Sequence, residues 1–122
     1  MSHETKWEES GVYWRFFGVV SFDEISETST EVYGDHRFDK MRYQIVDFLD
    51  MTQLEWTVPQ IEVVAAMDSA AAMTNPRVKI AVIATHTQAQ EITEAYSAAS
   101  VGSPWQTEIF DNIGDARQWL EA

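Results

Sequence analysis

The side chains best suited to act on a ligand or substrate fall in three short stretches of this 122-residue chain: Asp47 to Trp56, Thr85-His86-Thr87 and Phe110-Asp111-Asn112. Each lies at the end of an apolar run of strand character, and open α/β sheets bind ligands beyond the carboxyl ends of their parallel strands. Within these stretches Asp47, Asp50, Thr52, Trp56 and His86 are the candidate ligand-binding residues. His86 beside Asp47 or Asp50 would make an acid–base pair, with imidazole and carboxylate polarising each other across neighbouring strand ends. No motif places a serine or lysine as nucleophile, so no catalytic residue is assigned. A hydrolase-like enzyme using Asp47, Asp50 and His86 ranks third among the functional readings.

Metal and cofactor chemistry find no motif. His3, His36 and His86 are isolated, without the His-x-x-x-His spacing that puts two imidazoles on one helix face. His36 and Asp39 share a polar loop with Asp35, where solvent exposure accounts for them. The chain has no cysteine, which removes disulfides, thiolate ligands and cysteine nucleophiles together. Its glycines (Gly11, Gly18, Gly34, Gly102 and Gly114) are spread singly, so no phosphate-binding loop is present. Neither a metal nor a cofactor is expected.

Charge narrows the partners. The formal net charge is −12, and the eight basic residues are scattered rather than clustered. Nucleic-acid binding needs clustered cations to displace phosphate counterions, and binding to anionic lipid surfaces needs the same. No apolar stretch approaches the roughly 20 residues that span a bilayer. The N-terminus lacks the basic and apolar regions of a secretory signal. The expectation is an acidic, cytoplasmic protein forming one domain over residues 1–122.

The elements that must position these residues are marked by three helix-start boxes: Ser21-Phe22-Asp23-Glu24, Thr57-Val58-Pro59-Gln60 and Thr87-Gln88-Ala89-Gln90. In each, a hydroxyl can cap an orphan N–H of the first turn while the acid or amide three residues on reaches back. Capping accounts for Ser21, Thr57 and Thr87 without a functional role. Trp7 to Val20 reads as a hairpin turning at Ser10-Gly11, and its second arm alternates Val12, Trp14 and Phe16 with Tyr13, Arg15 and Phe17. Gly18 marks a bulge or close backbone approach. A helix is predicted over Phe22–Tyr33, with Phe22, Ile25, Ser29, Val32 and Tyr33 inward. A strand follows over Arg42–Leu49, then a connection from Asp50 to Trp56 without regular pattern. An alanine-rich helix covers Pro59–Met73, with Asp68 read as exposed. Val78 to Thr85 is a buried strand, followed by a helix from Thr87 towards Gly102 and a short strand over Trp105–Phe110. A last helix begins near Asn112.

The order ββαβαβαβα implies an α/β fold with a mixed five-stranded sheet, its first strand antiparallel and the rest parallel. Four segments carry a resemblance: Phe17-Gly18-Val19-Val20-Ser21, Tyr43-Gln44-Ile45-Val46-Asp47, Lys79-Ile80-Ala81-Val82-Ile83-Ala84, and the ending from Ile109 to Leu120. In this order they resemble the STAS fold of anti-sigma-factor antagonists and, more closely, the small bacterial STAS-like proteins grouped with lipid-transfer domains of the CRAL-TRIO type. The resemblance implies a β-α superhelix with strands in nearly sequential order and one incompletely covered sheet face. Regulatory members carry a phosphorylatable serine in an Asp-Ser-Ser type motif at the start of the helix after the central strand. Here Asp47-Phe48-Leu49-Asp50-Met51-Thr52 offers no serine pair, which puts a phosphoswitch in doubt, with Thr52 the nearest free hydroxyl.

The aromatic hairpin is the stronger lead. Trp7, Tyr13, Trp14, Phe16 and Phe17 supply more apolar surface than one helix layer covers, and they are the candidate interface residues. A homodimer stacked on this surface ranks above a pocket for a small apolar, lipid-like molecule. The first functional reading is therefore a non-enzymatic protein-interaction or regulatory module that self-associates, with an unknown protein partner. A carrier or sensor of a small apolar ligand is the alternative.

Overall fold

The computed structural model describes residues 2–121. The strands are β1 (His3–Trp7), β2 (Gly11–Ser21), β3 (Tyr43–Glu55), β4 (Lys79–Ile83) and β5 (Gln106–Phe110). The helices are α1 (Phe22–Tyr33), α2 (Val58–Thr74), α3 (Thr87–Ala99) and α4 (Ile113–Glu121), with a short 3₁₀ turn over His36–Lys40. The strands form one sheet in the order β1-β2-β3-β4-β5, with β1 antiparallel to β2 and every other pair parallel. This is the predicted order and the predicted mixed sheet.

Sequential strand order has a consequence for layering. Parallel crossovers are right-handed, so α1, α2 and α3 must all fall on the same face. Phe22 and Val32 of α1, Ile61 and Val64 of α2, and Ala89 and Ile92 of α3 join one buried cluster with Val12, Trp14 and Phe16. Among the described residues no strand follows β5, so α4 is not part of such a crossover, and it covers the other face. There Ala116 packs with Ile45, Ala81 and Ile83, flanked by Trp119 and Leu120. Since α4 is only a nine-residue helix, much of this second face is left bare.

The alternation of β2 divides its aromatics between the two faces. Trp14 and Phe16 are 3% and 0% exposed, in the large cluster, while Tyr13, Arg15 and Phe17 are half-buried on the α4 side. Two glycines shape this strand. A Cβ on Gly11 would lie 2.5 Å from the Tyr43 ring, so only glycine lets β3 start beside it. Gly18 has φ +66°, and the β2–β3 register shifts between Gly18 and Val19, as the expected bulge.

Three local expectations are corrected. The segment from Asp50 to Trp56 is no patternless loop, because β3 runs on to Glu55 and pairs with Phe17 to Ser21 of β2. Its polar residues are those of a strand whose other edge lies beyond the end of β4. The third capping box lies one residue out of register: His86 is the N-cap of α3, and it makes no side-chain cap bond. The first box is half-formed. Ser21 Oγ accepts from the Glu24 N–H at 3.4 Å, but the Glu24 carboxylate turns instead to the Ser2 N–H at 2.8 Å and to His3. Only Thr57 and Gln60 complete the reciprocal box.

Candidate functional site

The bare part of the sheet collects several of the residues singled out by type. Arg15 stands beside Asp47 in the β2–β3 register, and Phe17 beside Asp50. The Tyr13 hydroxyl donates to Asp47, whose other oxygen accepts from the Leu49 N–H at 3.0 Å. Burial and the adjacent carboxylate together raise the Tyr13 phenol well above its usual range. Arg15 pairs with Asp50 at 2.9 Å and lies 4.9 Å from the centre of the Phe17 ring. Asp47 and Asp50 are thus already engaged by neighbours on β2.

The other candidates are not drawn to them. His86 is exposed at the start of α3, and its side chain forms no hydrogen bond or ion pair among the described residues, while its carbonyl accepts the Gln90 N–H at 3.1 Å. Thr52 is exposed on β3, five residues before the N-cap of α2. Trp56 is half-buried against the main cluster. Trp7 packs against the same cluster, with the Arg37 guanidinium 4.1 Å from the centre of its ring. Trp14 and Phe16, expected at an interface, are core residues with no surface to offer, because their strand face is the one the three helices cover.

That covered face holds a partly open pocket. A space of about 80 Å³ lies between the sheet and helices α1, α2 and α3, walled mainly by apolar side chains such as Phe16, Val46, Ile61, Val64, Ile80 and Ile92. It is apolar but not featureless. Trp14, Ser29, Gln44, Asp68, Tyr96 and Thr107 also line it. The Trp14 indole N–H is buried without a hydrogen-bond partner among the described residues. Buried donors are rarely left so.

Asp68 stands at the polar side of the cavity and ties the three helices together. From α2 it accepts the Tyr33 hydroxyl of α1 at 2.5 Å and the Tyr96 hydroxyl of α3. Gln44 of β3 adds a bond to the Tyr33 oxygen at 3.3 Å. Asp68 is 5% exposed, so the expectation of an exposed acid is corrected. Burial raises its carboxyl pKa to about 6, against the lowering effect of the two tyrosine hydroxyls. Both tyrosines are pushed up in turn, by burial first and by the carboxylate second.

The sequence carried one signal for this group. Ile61, Val64, Asp68 and Ala72 recur at helical spacing, so Asp68 sits on the buried stripe of α2 rather than opposite it. Among alanines on every side, that stripe does not stand out. Among the described residues no cluster of three or more acids and histidines could hold a metal ion, and no helix is long and apolar enough to cross a membrane.

No family model matches the chain, and no curated protein matches it. Among solved structures, it is similar to an uncharacterised protein of the DUF3478 family from Shewanella loihica, described as having a SpoIIAA-like fold. The two share 12% identity and superpose with a TM-score of 0.53, over 97% of this chain and 91% of the other. The fold is SpoIIAA-like, that is, STAS-like. At this identity the likeness concerns the fold, and function must come from the site.

Proposed function

We propose that this STAS-like chain is a non-enzymatic binding module that takes up a small apolar ligand between its sheet and helices α1 to α3, acting as carrier or sensor. The observation that carries the reading is the apolar cavity of about 80 Å³ on the covered face. Interiors pack to crystal-like density, and a space of this size leaves its lining short of contacts. An apolar guest restores those contacts without disturbing the surface. The reading places ligand uptake ahead of self-association, because the hairpin aromatics Trp14 and Phe16 that argued for an interface are spent in the core. Xenon tests it, since dry apolar cavities take up xenon. Under xenon pressure, methyl NMR signals of Ile61, Val64, Ile80 and Ile92 are expected to shift while surface methyls such as Val101 stay still. Lining methyls indifferent to xenon would remove the reading.

Self-association is a second reading, with a different surface. Helix α2 carries Val63, Ala66, Ala70 and Met73 along its outward side, and Val63 and Met73 are 65% and 88% exposed. An ordinary surface helix is polar there. Small alanines between two larger apolar residues let a second copy of the same helix approach closely, as a two-fold contact requires. Sedimentation velocity is expected to show a dimer that Val63→Glu with Met73→Glu converts to monomer. A wild-type protein monomeric at micromolar concentration would rule it out.

A further inference from the structure

Resting on the ligand reading above, we propose that the cavity's occupant is a small neutral carbonyl compound whose oxygen accepts the Trp14 indole N–H. The deciding feature is the unused donor. Trp14 is 3% exposed, lines the cavity, and its N–H has no partner among the described residues. The other buried tryptophan shows what is normal: Trp105 donates its N–H to the Asn75 carbonyl at 2.7 Å. Around the cavity most other donors are already committed, the Ser29 and Thr107 hydroxyls apart. Tyr33 and Tyr96 give their hydroxyl protons to Asp68, Gln44 gives an amide proton to Tyr33, and Thr93 gives its hydroxyl proton to the Ala89 carbonyl at 2.7 Å. Indole nitrogen donates and cannot accept. The missing group is therefore an acceptor.

Charge and size narrow it further. No lysine, arginine or histidine lines the cavity, while Asp68 does. An anionic acceptor, carboxylate or phosphate, would be stripped of water beside a carboxylate with no cation to balance it. A cationic guest supplies no acceptor, and both Asp68 oxygens already hold tyrosine hydroxyls. A neutral ketone or aldehyde fits on both counts. The space of about 80 Å³ is roughly half the ~150 Å³ known to admit benzene, which limits the enclosed part of the guest to on the order of five heavy atoms. Ordered water is the competing occupant. It needs two to four polar partners, and since Ser29, Gln44 and Thr107 line the space beside Trp14, the test must tell water from the carbonyl.

The test compares 2-butanone with 2-methyl-1-butene, which replaces the carbonyl oxygen by a methylene and keeps the shape. Both are titrated into ¹⁵N-labelled protein while the Trp14 indole N–H and the lining methyls are followed by NMR. The proposal expects both to move the methyls, the ketone alone to shift the indole N–H downfield, and the ketone to bind about tenfold more tightly, the scale of one recovered hydrogen bond. In Trp14→Phe the preference should vanish while the alkene still binds. Equal affinity of the two in the wild-type protein overturns the carbonyl and leaves the apolar cavity reading standing. Neither compound binding overturns both. An indole N–H that keeps a bound-water cross-peak and ignores the ketone shows a hydrated site, and overturns the carbonyl as well.

Discussion

The two faces of the sheet are built by the same strands and end in opposite conditions. On one, α1, α2 and α3 close over Trp14, Phe16, Val46 and Ile80, and Asp68, Tyr33 and Tyr96 are buried and mutually bonded. On the other, α4 covers Ile45, Ala81 and Ile83, and the rest is a partly exposed patch of Tyr13, Arg15, Phe17 and Asp50 around a buried Asp47. Because successive residues of β2 point to opposite faces, a single strand step moves an aromatic from a buried wall to a partly exposed one beside the Arg15–Asp50 ion pair. The difference teaches where each kind of chemistry can live. Charged candidates on the open face meet each other and water. The closed face holds the apolar space of about 80 Å³.

The sharpest way to break this comparison is to truncate adjacent aromatics. Phe16→Ala removes a ring that is 0% exposed and is expected to cost about 3–5 kcal/mol. Phe17→Ala, one residue on, is expected to cost about half as much, since its ring is only partly buried. Urea denaturation midpoints read both, and equal losses would mean that the faces are not distinct.

Next comes the pH response of the closed face. In the folded protein burial raises the Asp68 carboxyl from the ordinary 3.8 to about 6. Between about pH 4 and 6 the folded state therefore keeps a proton that the unfolded chain has lost. The associated stability is present at the acid end and lost as pH rises through 6. Relative to Asp68→Asn, which keeps the shape and one acceptor oxygen without a titratable group, the wild-type protein is expected to lose on the order of 2–3 kcal/mol from pH 4 to 7. Parallel stability profiles of the two proteins would contradict a buried, titrating Asp68.

The smallest effect belongs to the open face. The Arg15–Asp50 pair is exposed, so a double-mutant cycle with Arg15→Ala and Asp50→Ala should return a coupling below the two effects above. Added salt should erase it. A coupling that survives molar salt would mean that something covers this face in solution.

Much of the fold was legible because period is a local property. The alternation of β2, the apolar run from Val78 to Thr85 and the Thr57–Gln60 box each announce themselves within a few residues. The far half of β3 was not legible. Thr52, Gln53 and Glu55 look like loop residues until β2, with its bulge at Gly18, is seen to pair beside them. The box at Thr87 failed by one position because a neighbouring residue could equally begin the helix. Of the candidate site, Asp47 and Asp50 share the open face with Tyr13 and Phe17, but His86 stays apart from them. Which partners a charged side chain meets depends on strands distant in sequence.

The sequence by itself determined the order of the elements and which residues alternate, since hydrogen-bonded backbone imposes periods of 2 and 3.6 wherever the chain goes. Only the tertiary structure decided that Trp14 would face a cavity and keep an unused N–H. Only it decided that Asp68 would join tyrosines 35 residues before it and 28 residues after it. The reason is physical: a cavity and a buried network are spaces between elements, set by how three right-handed crossovers pack on one sheet face.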